Sequence, residues 1–169
     1  MTEKLTIKEI MGQIQENWPR AMGPETPVIL GVIRLNDIIA EGTNRIVGDY
    51  GLTQSSFEVL MTLRAQPLPR QLTPTGLYQA LLISSGGMTK VLKQLEQDGL
   101  VRRIAHETDQ RSRYVQLTEA GERMAEQAFD AVTAFESAVL TKALSRDQIT
   151  HLGETLLQAL DPLERERGA

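Results

Sequence analysis

The chain has 169 residues, 41% of them hydrophobic and 24% charged, which suits one globular domain with helical extensions. It contains no cysteine, which excludes disulfides, thiolate metal sites and cysteine nucleophiles. The N-terminus lacks the uninterrupted apolar stretch of a signal peptide, and no window has the apolar length of a membrane span. We therefore expect a cytoplasmic protein with no membrane partner.

The formal net charge is −4, but it is unevenly distributed along the chain. Residues 70–115 hold seven Lys/Arg and four Asp/Glu, whereas residues 1–69 and 116–169 each hold more acids than bases. Attraction to phosphate is screened beyond about 8–10 Å at physiological salt, so a local basic surface can bind nucleic acid on an acidic protein. The central segment is therefore the candidate for contact with a polyanion.

Three helical segments are predicted before this basic centre. The first covers residues 6–18 and is followed by a breaker-rich stretch, 19–27, that predicts a linker. Apolar residues that recur at intervals of three, four and seven predict the second helix over about 28–49. Thr53 has a side chain suited to N-capping a third helix, which ends before Pro67.

The basic centre is predicted to fold as two short helices and a hairpin. The first helix, over about 73–82, opens with Thr-Pro, a favourable cap and first helical residue. The second, over about 84–98, is predicted to be capped by one of its two opening serines and ends at a glycine. Short strands at 101–104 and 114–117 flank the polar loop AHETDQRSR, a pattern typical of a hairpin.

Two further helices are predicted after the hairpin, and both carry an apolar stripe. Thr118 can cap the first, and Ser145 and Gln148 have the capping-box spacing for the second. The stripe of the last helix comprises Ile149, Leu152, Leu156 and Leu160. Because the two acidic, apolar-striped helical flanks have no partner of their own, we expect a dimer.

The order helix, tight turn, helix and hairpin predicts contact with DNA. A helix-turn-helix places its second helix in the major groove, with its N-terminal residues nearest the bases. Here the apolar face of that helix comprises Met88, Leu92 and Leu95. Lys90 and Lys93 fall on the opposite face, and Gln94 can reach a base edge. The candidate DNA-contacting set comprises Thr75, Ser84, Ser85, Gly86, Thr89, Lys90, Lys93, Gln94, Arg103, Arg111, Ser112 and Arg113.

The hairpin loop is predicted to form a basic wing. Asp109 and Arg111 lie two residues apart in a tight turn, where the carboxylate can accept from the turn backbone and pair with the guanidinium. Such a pair would make the loop rigid and aim Arg111 or Arg113 outward. An arginine in a narrow minor groove gains from the enhanced negative potential there.

The segment from Leu72 to Met124 contains the serine-rich opening SSGG, then LEQDGLVRR, the pattern D-x-R-S and LTEAG. In their order and spacing these motifs resemble the winged-helix region of the MarR family. GLTQSSFEVL resembles the helix that precedes the DNA-binding unit in that family, so the resemblance extends over about 28–160.

The resemblance implies a mainly α fold with a small β-hairpin: a winged helix-turn-helix flanked by N- and C-terminal dimerisation helices. It further implies a homodimer on a pseudo-palindromic double-stranded operator, repression relieved by a small aromatic or anionic ligand, and a nucleoid-associated cytoplasmic protein. The implied boundaries are 1–27 for an N-terminal helix and linker, 28–160 for the MarR-like domain (winged helix 52–117, dimerisation helices 28–50 and 118–160) and 161–169 for a tail.

A narrower resemblance is to the urate-responsive branch of the family. Trp18 matches the Trp on the first helix of that branch, while Glu58 and Gln66 are homologues of its Asp and Asn. Val91 replaces the arginine of the recognition helix, and losing a charged hydrogen bond to an anion costs about 1.5–3 kcal/mol. We therefore expect not urate but a different small ligand in a related pocket. Packing in a docked helix is the alternative role of Trp18.

An enzyme and a module that binds only protein are the two alternatives to a DNA-binding protein. For an enzyme, the chain offers only His106 and His151, without partners at metal-ligand spacing, and no nucleophile or phosphate-loop motif. No catalytic residue, cofactor or metal is therefore expected. The alternative is a winged-helix module that binds only protein. DNA binding weakens steeply with salt, whereas an apolar protein contact does not.

Overall fold

A computed structural model describes residues 4–81, 87–105 and 113–167, and in these ranges the chain forms seven α-helices and one three-stranded sheet. The mainly helical fold with a small hairpin is confirmed. The helices are α1 (Ile7–Asn17), α2 (Glu25–Asp49), α3 (Gln54–Arg64), α4 (Pro74–Ala80), α5 (Met88–Gln97), α6 (Glu119–Thr141) and α7 (Arg146–Arg167). The strands are β1 (Gln71–Leu72), β2 (Val101–Ala105) and β3 (Arg113–Leu117).

Several helix starts rest on side-chain caps, of which those at Thr53 and Ser145 were predicted and the one at Thr6 was not. Thr6 and Glu9 form a capping box at the start of α1, and Thr53 accepts from the backbone N–H of Ser56 at the start of α3. Before α7, the backbone N–H of Ser145 donates to Gln148 Oε1 at 2.9 Å, while the Gln148 N–H donates to Ser145 Oγ at 3.3 Å. These caps fix the ends of the helices locally.

The predicted linker over 19–27 is wrong at its last three residues, which are helical. A short 3-10 helix spans Pro19–Ala21, and α2 already begins at Glu25. Pro27 therefore lies in the first turn of α2, where the missing N–H has no intrahelical partner to lose. At the other end of the chain, α7 continues to Arg167, past residue 160.

The sheet has the strand order β1-β3-β2 and is antiparallel throughout. Arg102 pairs with Gln116 and Arg103 with Val115 across the hairpin, so the two neighbouring arginines face opposite sides of the sheet. Sequence reasoning missed β1, because two residues are too short to show the alternation that marks a strand.

The hydrophobic core lies among α3, α5, the sheet and the first half of α6. Its fully buried side chains include Leu60, Leu63, Leu77, Leu92, Leu95, Val101 and Val115. Gly99, with φ 71°, ends α5, and the Leu100 N–H donates back to the Leu95 carbonyl at 2.9 Å. This stop turns the chain from α5 directly into the hairpin, so helix and hairpin are held as one unit.

The helical flanks expose apolar surface. On the first half of α2, Val28, Ile29, Val32 and Ile33 are each about half exposed. On α7, every described side chain except Ile149 and Gly153 is exposed. Among the described helices, none combines the length and apolar character needed to cross a membrane.

Candidate nucleic-acid interface and ligand pocket

One face of α5 is anchored and the other is open to solvent. Met88, Leu92 and Leu95 are buried against the core, with Leu92 only 2% exposed. The exposed face comprises Thr89, Lys90, Lys93 and Gln94. Because the three buried side chains fix the rotation of the helix, the two ammonium groups and the amide project away from the core.

The described start of α5 differs from the predicted one. Gly87 is the N-cap residue, with φ 104° and no side-chain cap, and the helix begins at Met88. A left-handed conformation is accessible to glycine without the clash that a Cβ brings, which makes the second glycine of SSGGM the helix boundary. The predicted contacts at Ser84, Ser85 and Gly86 lie outside the described residues.

The amide of Gln94 is already engaged within α5. Its Nε2 donates to Asp98 Oδ1 at 2.9 Å, one turn further along. The carbonyl oxygen Oε1 is left facing solvent, where it can accept from a donor on a base edge. Gln94 can therefore contact a base as an acceptor without losing this intrahelical bond.

The arginines of β2 have different surroundings. Arg103, a predicted DNA contact, is half-buried, with its Nε 3.9 Å from Glu96 Oε2 on α5. Arg102, which was not predicted, is exposed, and its Nε donates to Gln116 Oε1 at 2.7 Å. Strand alternation makes the two side chains point opposite ways, and the contact with Glu96 puts Arg103 on the side of α5.

The remaining predicted DNA contacts lie at the edges of the unit. Thr75 is exposed on the first turn of α4, whose N-cap Thr73 accepts from the Gly76 N–H at 3.1 Å. Arg113 is exposed at the first residue of β3. The wing residues Asp109, Arg111 and Ser112 lie outside the described residues.

A groove of about 540 Å³ lies on the sheet face opposite α5. Three arginines and two glutamates line it, with the start of α6 as one wall; the charged lining residues are Arg70, Arg102, Glu119, Glu122 and Arg123. Arg70 forms an ion pair with Glu122. Sequence reasoning missed this cluster, because its members come from the turn before β1, from β2 and from α6 and follow no periodic pattern.

Of the three residues of the predicted ligand site, Glu58 lines a pocket. The pocket has a volume of about 260 Å³ between α3 and α4 and is lined by Phe57, Glu58, Met61, Thr62, Ala80 and Leu81. Glu58 Oε1 accepts from Gln54 Nε2 at 2.9 Å, while Oε2 is buried without a hydrogen-bond partner among the described residues. A buried carboxylate oxygen of this kind favours a ligand that brings a donor.

Trp18 and Gln66, the other two residues of the predicted ligand site, do not line this pocket in the described part of the chain. Trp18 is 56% exposed, and the Arg20 guanidinium lies over its ring, 5.7 Å from the centroid. Gln66 donates through Nε2 to the Thr62 carbonyl at 3.2 Å. Val91 is half-buried and packs against the core.

The described residues show no group of three or more His, Asp or Glu side chains that could hold a metal ion. His151 is exposed on α7. The described site consists of an anchored helix, α5, with exposed Lys90, Lys93 and Gln94 beside the hairpin.

Known proteins are similar to this chain over its central segment and over most of its length. A sequence model of the MarR family matches residues 50–112. The chain is 28% identical over 153 residues to the HTH-type transcriptional regulator PecS of Dickeya dadantii, covering 90% of this chain and 91% of that protein. It is 30% identical over 122 residues to the transcriptional activatory protein BadR of Rhodopseudomonas palustris, covering 72% and 69%.

Among solved structures, a mutant MarR from Escherichia coli complexed with operator DNA aligns with a TM-score of 0.62 at 26% identity, covering 82% of this chain and 99% of that chain. The fold, the order of its elements and these relatives agree over most of the sequence. The chain belongs to the MarR family.

Proposed function

We propose that the protein is a sequence-specific DNA-binding transcriptional regulator that places α5 in the major groove of its operator. The observation that carries this proposal is the two-sided character of α5. Its buried Met88, Leu92 and Leu95 fix the helix to the core, while Lys90 and Lys93 stand on the free side. The relatives named as transcriptional regulators and the MarR complex with operator DNA support the same role.

The regulator acts as a homodimer on a pseudo-palindromic site. The exposed apolar side chains on the first half of α2 and along α7 support this assembly, because no described element of the same chain covers them. Two copies of a helix-turn-helix related by a two-fold axis read two half-sites about one helical turn apart. We propose a nucleoid-associated protein without enzymatic activity.

Selection of bound sequences from a random duplex library tests this proposal. A DNA-binding regulator enriches one pseudo-palindrome, whereas a protein-only module enriches none. On the selected site, Lys90→Ala and Lys93→Ala should each lower the slope of log affinity against log salt by about one, because each removes one phosphate contact. Lys142→Ala, an exposed lysine at the end of α6, is the matched control and should leave the slope unchanged.

Ligand control is the second part of the proposed function, and the pocket at Glu58 supports it. Among the residues that line the pocket, Glu58 carries the sole charge, and the others are mostly apolar. We infer an aromatic ligand that donates an N–H or O–H to Glu58 Oε2 and that releases the protein from DNA. An additional negative charge on the ligand would face the carboxylate at close range.

A panel of phenols, anilines and purines tests the ligand, with melting temperature and operator affinity as readouts. A ligand of this site raises the melting temperature of the wild type and loses that effect in Glu58→Gln, which keeps the side-chain length and the acceptor for Gln54. A compound that stabilises both proteins equally binds elsewhere. A reporter assay with and without the ligand distinguishes repression from the activation that the name of BadR records.

A further inference from the structure

The turn that leads into β1 is built around Arg70, which has an unusual backbone conformation. Its φ is 57°, in the left-handed region that residues other than glycine rarely adopt. The Arg70 N–H donates to the Pro67 carbonyl at 2.7 Å, and its own carbonyl accepts from the Leu117 N–H at 3.0 Å. Since glycine would take this conformation without a Cβ clash, an arginine here calls for a role of its side chain.

That side chain reaches α6. The Arg70 guanidinium pairs with Glu122, and the two side chains are 18% and 33% exposed. A second connection joins the same turn to the hairpin, because Gln116 Nε2 donates to the Pro69 carbonyl at 3.0 Å. The turn at Arg70 is therefore held from two sides, by Gln116 on β3 and by Glu122 on α6, and it links the root of the hairpin, where β3 ends, to α6.

Glu122 also faces α3. Its Oε1 lies 3.7 Å from Arg64 Nε, while Arg64 bonds more closely to Glu126, with Nη2 2.6 Å from Oε1. Glu122 and Glu126 are thus neighbours on one face of α6 with different partners. Glu126 ties α6 to α3 alone, and Glu122 ties α6 to the root of the hairpin as well.

We propose that Glu122 is a positioning residue for DNA binding. Through Arg70 it holds the hairpin root against α6 and so sets the direction in which β2 and β3 carry the wing. The proposal rests on the proposed DNA-binding function. A single ion pair that solvent still reaches contributes little to global stability. The pair acts on affinity, because weakening it lowers the fraction of protein in which β2 and β3 have the binding orientation.

Two variants that lose the same charge separate the positioning role of Glu122 from the general effect of a lost negative charge on attraction to DNA. Glu122→Gln removes a negative charge, which by itself strengthens attraction to DNA phosphates. Glu126→Gln removes the same charge one turn away and leaves the Arg70 pair intact. We expect Glu122→Gln to weaken operator binding about fivefold, the scale of one solvent-accessible ion pair, and Glu126→Gln to change it by less than about twofold.

Arg70→Gly supplies the reciprocal test. Glycine keeps the left-handed turn without strain, so the variant loses the side chain and its ion pair while the backbone conformation stays accessible. It should weaken operator binding about as much as Glu122→Gln, and the double variant should be no weaker than Arg70→Gly alone, because both changes remove one interaction. Exchange of the Leu117 amide proton, which reports the Arg70–Leu117 bond, should quicken in Glu122→Gln and stay unchanged in Glu126→Gln.

The experiment is a fluorescence anisotropy titration of the full chain on the selected operator at fixed salt, with the melting temperature of each variant measured in parallel. Failure of the wild type to bind DNA contradicts the proposed function. Wild-type binding with unchanged affinity in Glu122→Gln overturns the positioning role. Equal weakening in Glu126→Gln overturns it too, since the effect would then belong to the packing of α3 on α6.

Discussion

The ring of Phe135 on α6 lies directly against the backbone of Gly42 on α2, where an added Cβ would overlap the ring carbons. The absence of a side chain at this point lets the two longest helices of the fold approach closely. Gly42→Ala should therefore destabilise the protein by about 1–2 kcal/mol, since overpacking outweighs the gain in helix propensity. Urea unfolding at fixed protein concentration measures this difference.

Gly48 on the same helix, away from the exposed apolar side chains of its first half, provides the matched control. A Cβ there has nothing within 4 Å, so Gly48→Ala should stabilise the protein by up to about 1 kcal/mol through helix propensity. Phe135→Leu should recover part of the stability lost in Gly42→Ala. If Gly42→Ala and Gly48→Ala change the unfolding free energy alike, the close contact with Phe135 does not affect stability.

Thr118 fastens the start of α6 to the end of α5. Its hydroxyl accepts from the Gly121 N–H at 3.0 Å and donates to the Gly99 carbonyl at 2.8 Å. Thr118→Ala should cost about 1–2 kcal/mol of unfolding free energy, the range for an N-cap residue, while Thr118→Ser keeps the hydroxyl and should cost less. Thermal unfolding of the two variants makes the comparison, and equal losses would point to the methyl group instead.

Leu92 is one of the three buried side chains that anchor α5 to the core. Leu92→Ala removes a side chain that is 2% exposed, which should cost about 2–5 kcal/mol. Lys93→Ala, at the next position on the free side, should change stability by less than about 0.5 kcal/mol and lower only DNA affinity. Chemical unfolding and operator titration of the same two samples separate anchoring from contact.

The capping box of α1 should make this helix sensitive to acid. The backbone N–H and the hydroxyl of Thr6 both donate to Glu9 Oε2 at 2.8 Å and lower the pKa of that carboxyl below its usual 4.5. Because the folded-state pKa is depressed, the contribution is present above pH 4.5 and is lost as the pH falls through the lowered pKa.

NMR titration of the Glu9 carboxyl, with amide exchange at Thr6, checks this expectation. In the wild type, protection of the Thr6 amide against exchange should fall as the Glu9 carboxyl becomes protonated. In Glu9→Gln, which has no carboxyl at this position, the protection should not change over the same pH range. A Glu9 carboxyl that titrates at or above its usual pKa would show that the box does not persist in solution.

The parts of the fold that were predictable are those that a few neighbouring residues determine. Thr53 and Thr118 cap their helices as expected, because an N-cap depends on the residue itself and the next three along the chain. The buried face of α5 follows from the helical period of Met88, Leu92 and Leu95. Lys90 and Lys93 are exposed because they lie on the opposite face of the same helix.

The rest depended on contacts between distant parts of the chain. The pairing of Arg103 with Glu96 and of Arg70 with Glu122 joins residues whose proximity only the tertiary fold creates. The start of α2 at Glu25 differs from the predicted linker because a proline early in a helix is tolerated, whereas proline density alone predicts a break. The Glu58 pocket is likewise a product of how α3 meets α4.

The exposed apolar side chains along α7 make the response of the regulator depend on its own concentration. Leu157 and Leu163 are 70% and 57% exposed in the single chain, and in the proposed dimer a second copy covers such side chains. The folded dimer therefore gains stability as the concentration of the protein in the cell rises. Occupancy of a paired operator should then rise more steeply than the amount of protein made, so that synthesis itself sets a threshold for regulation.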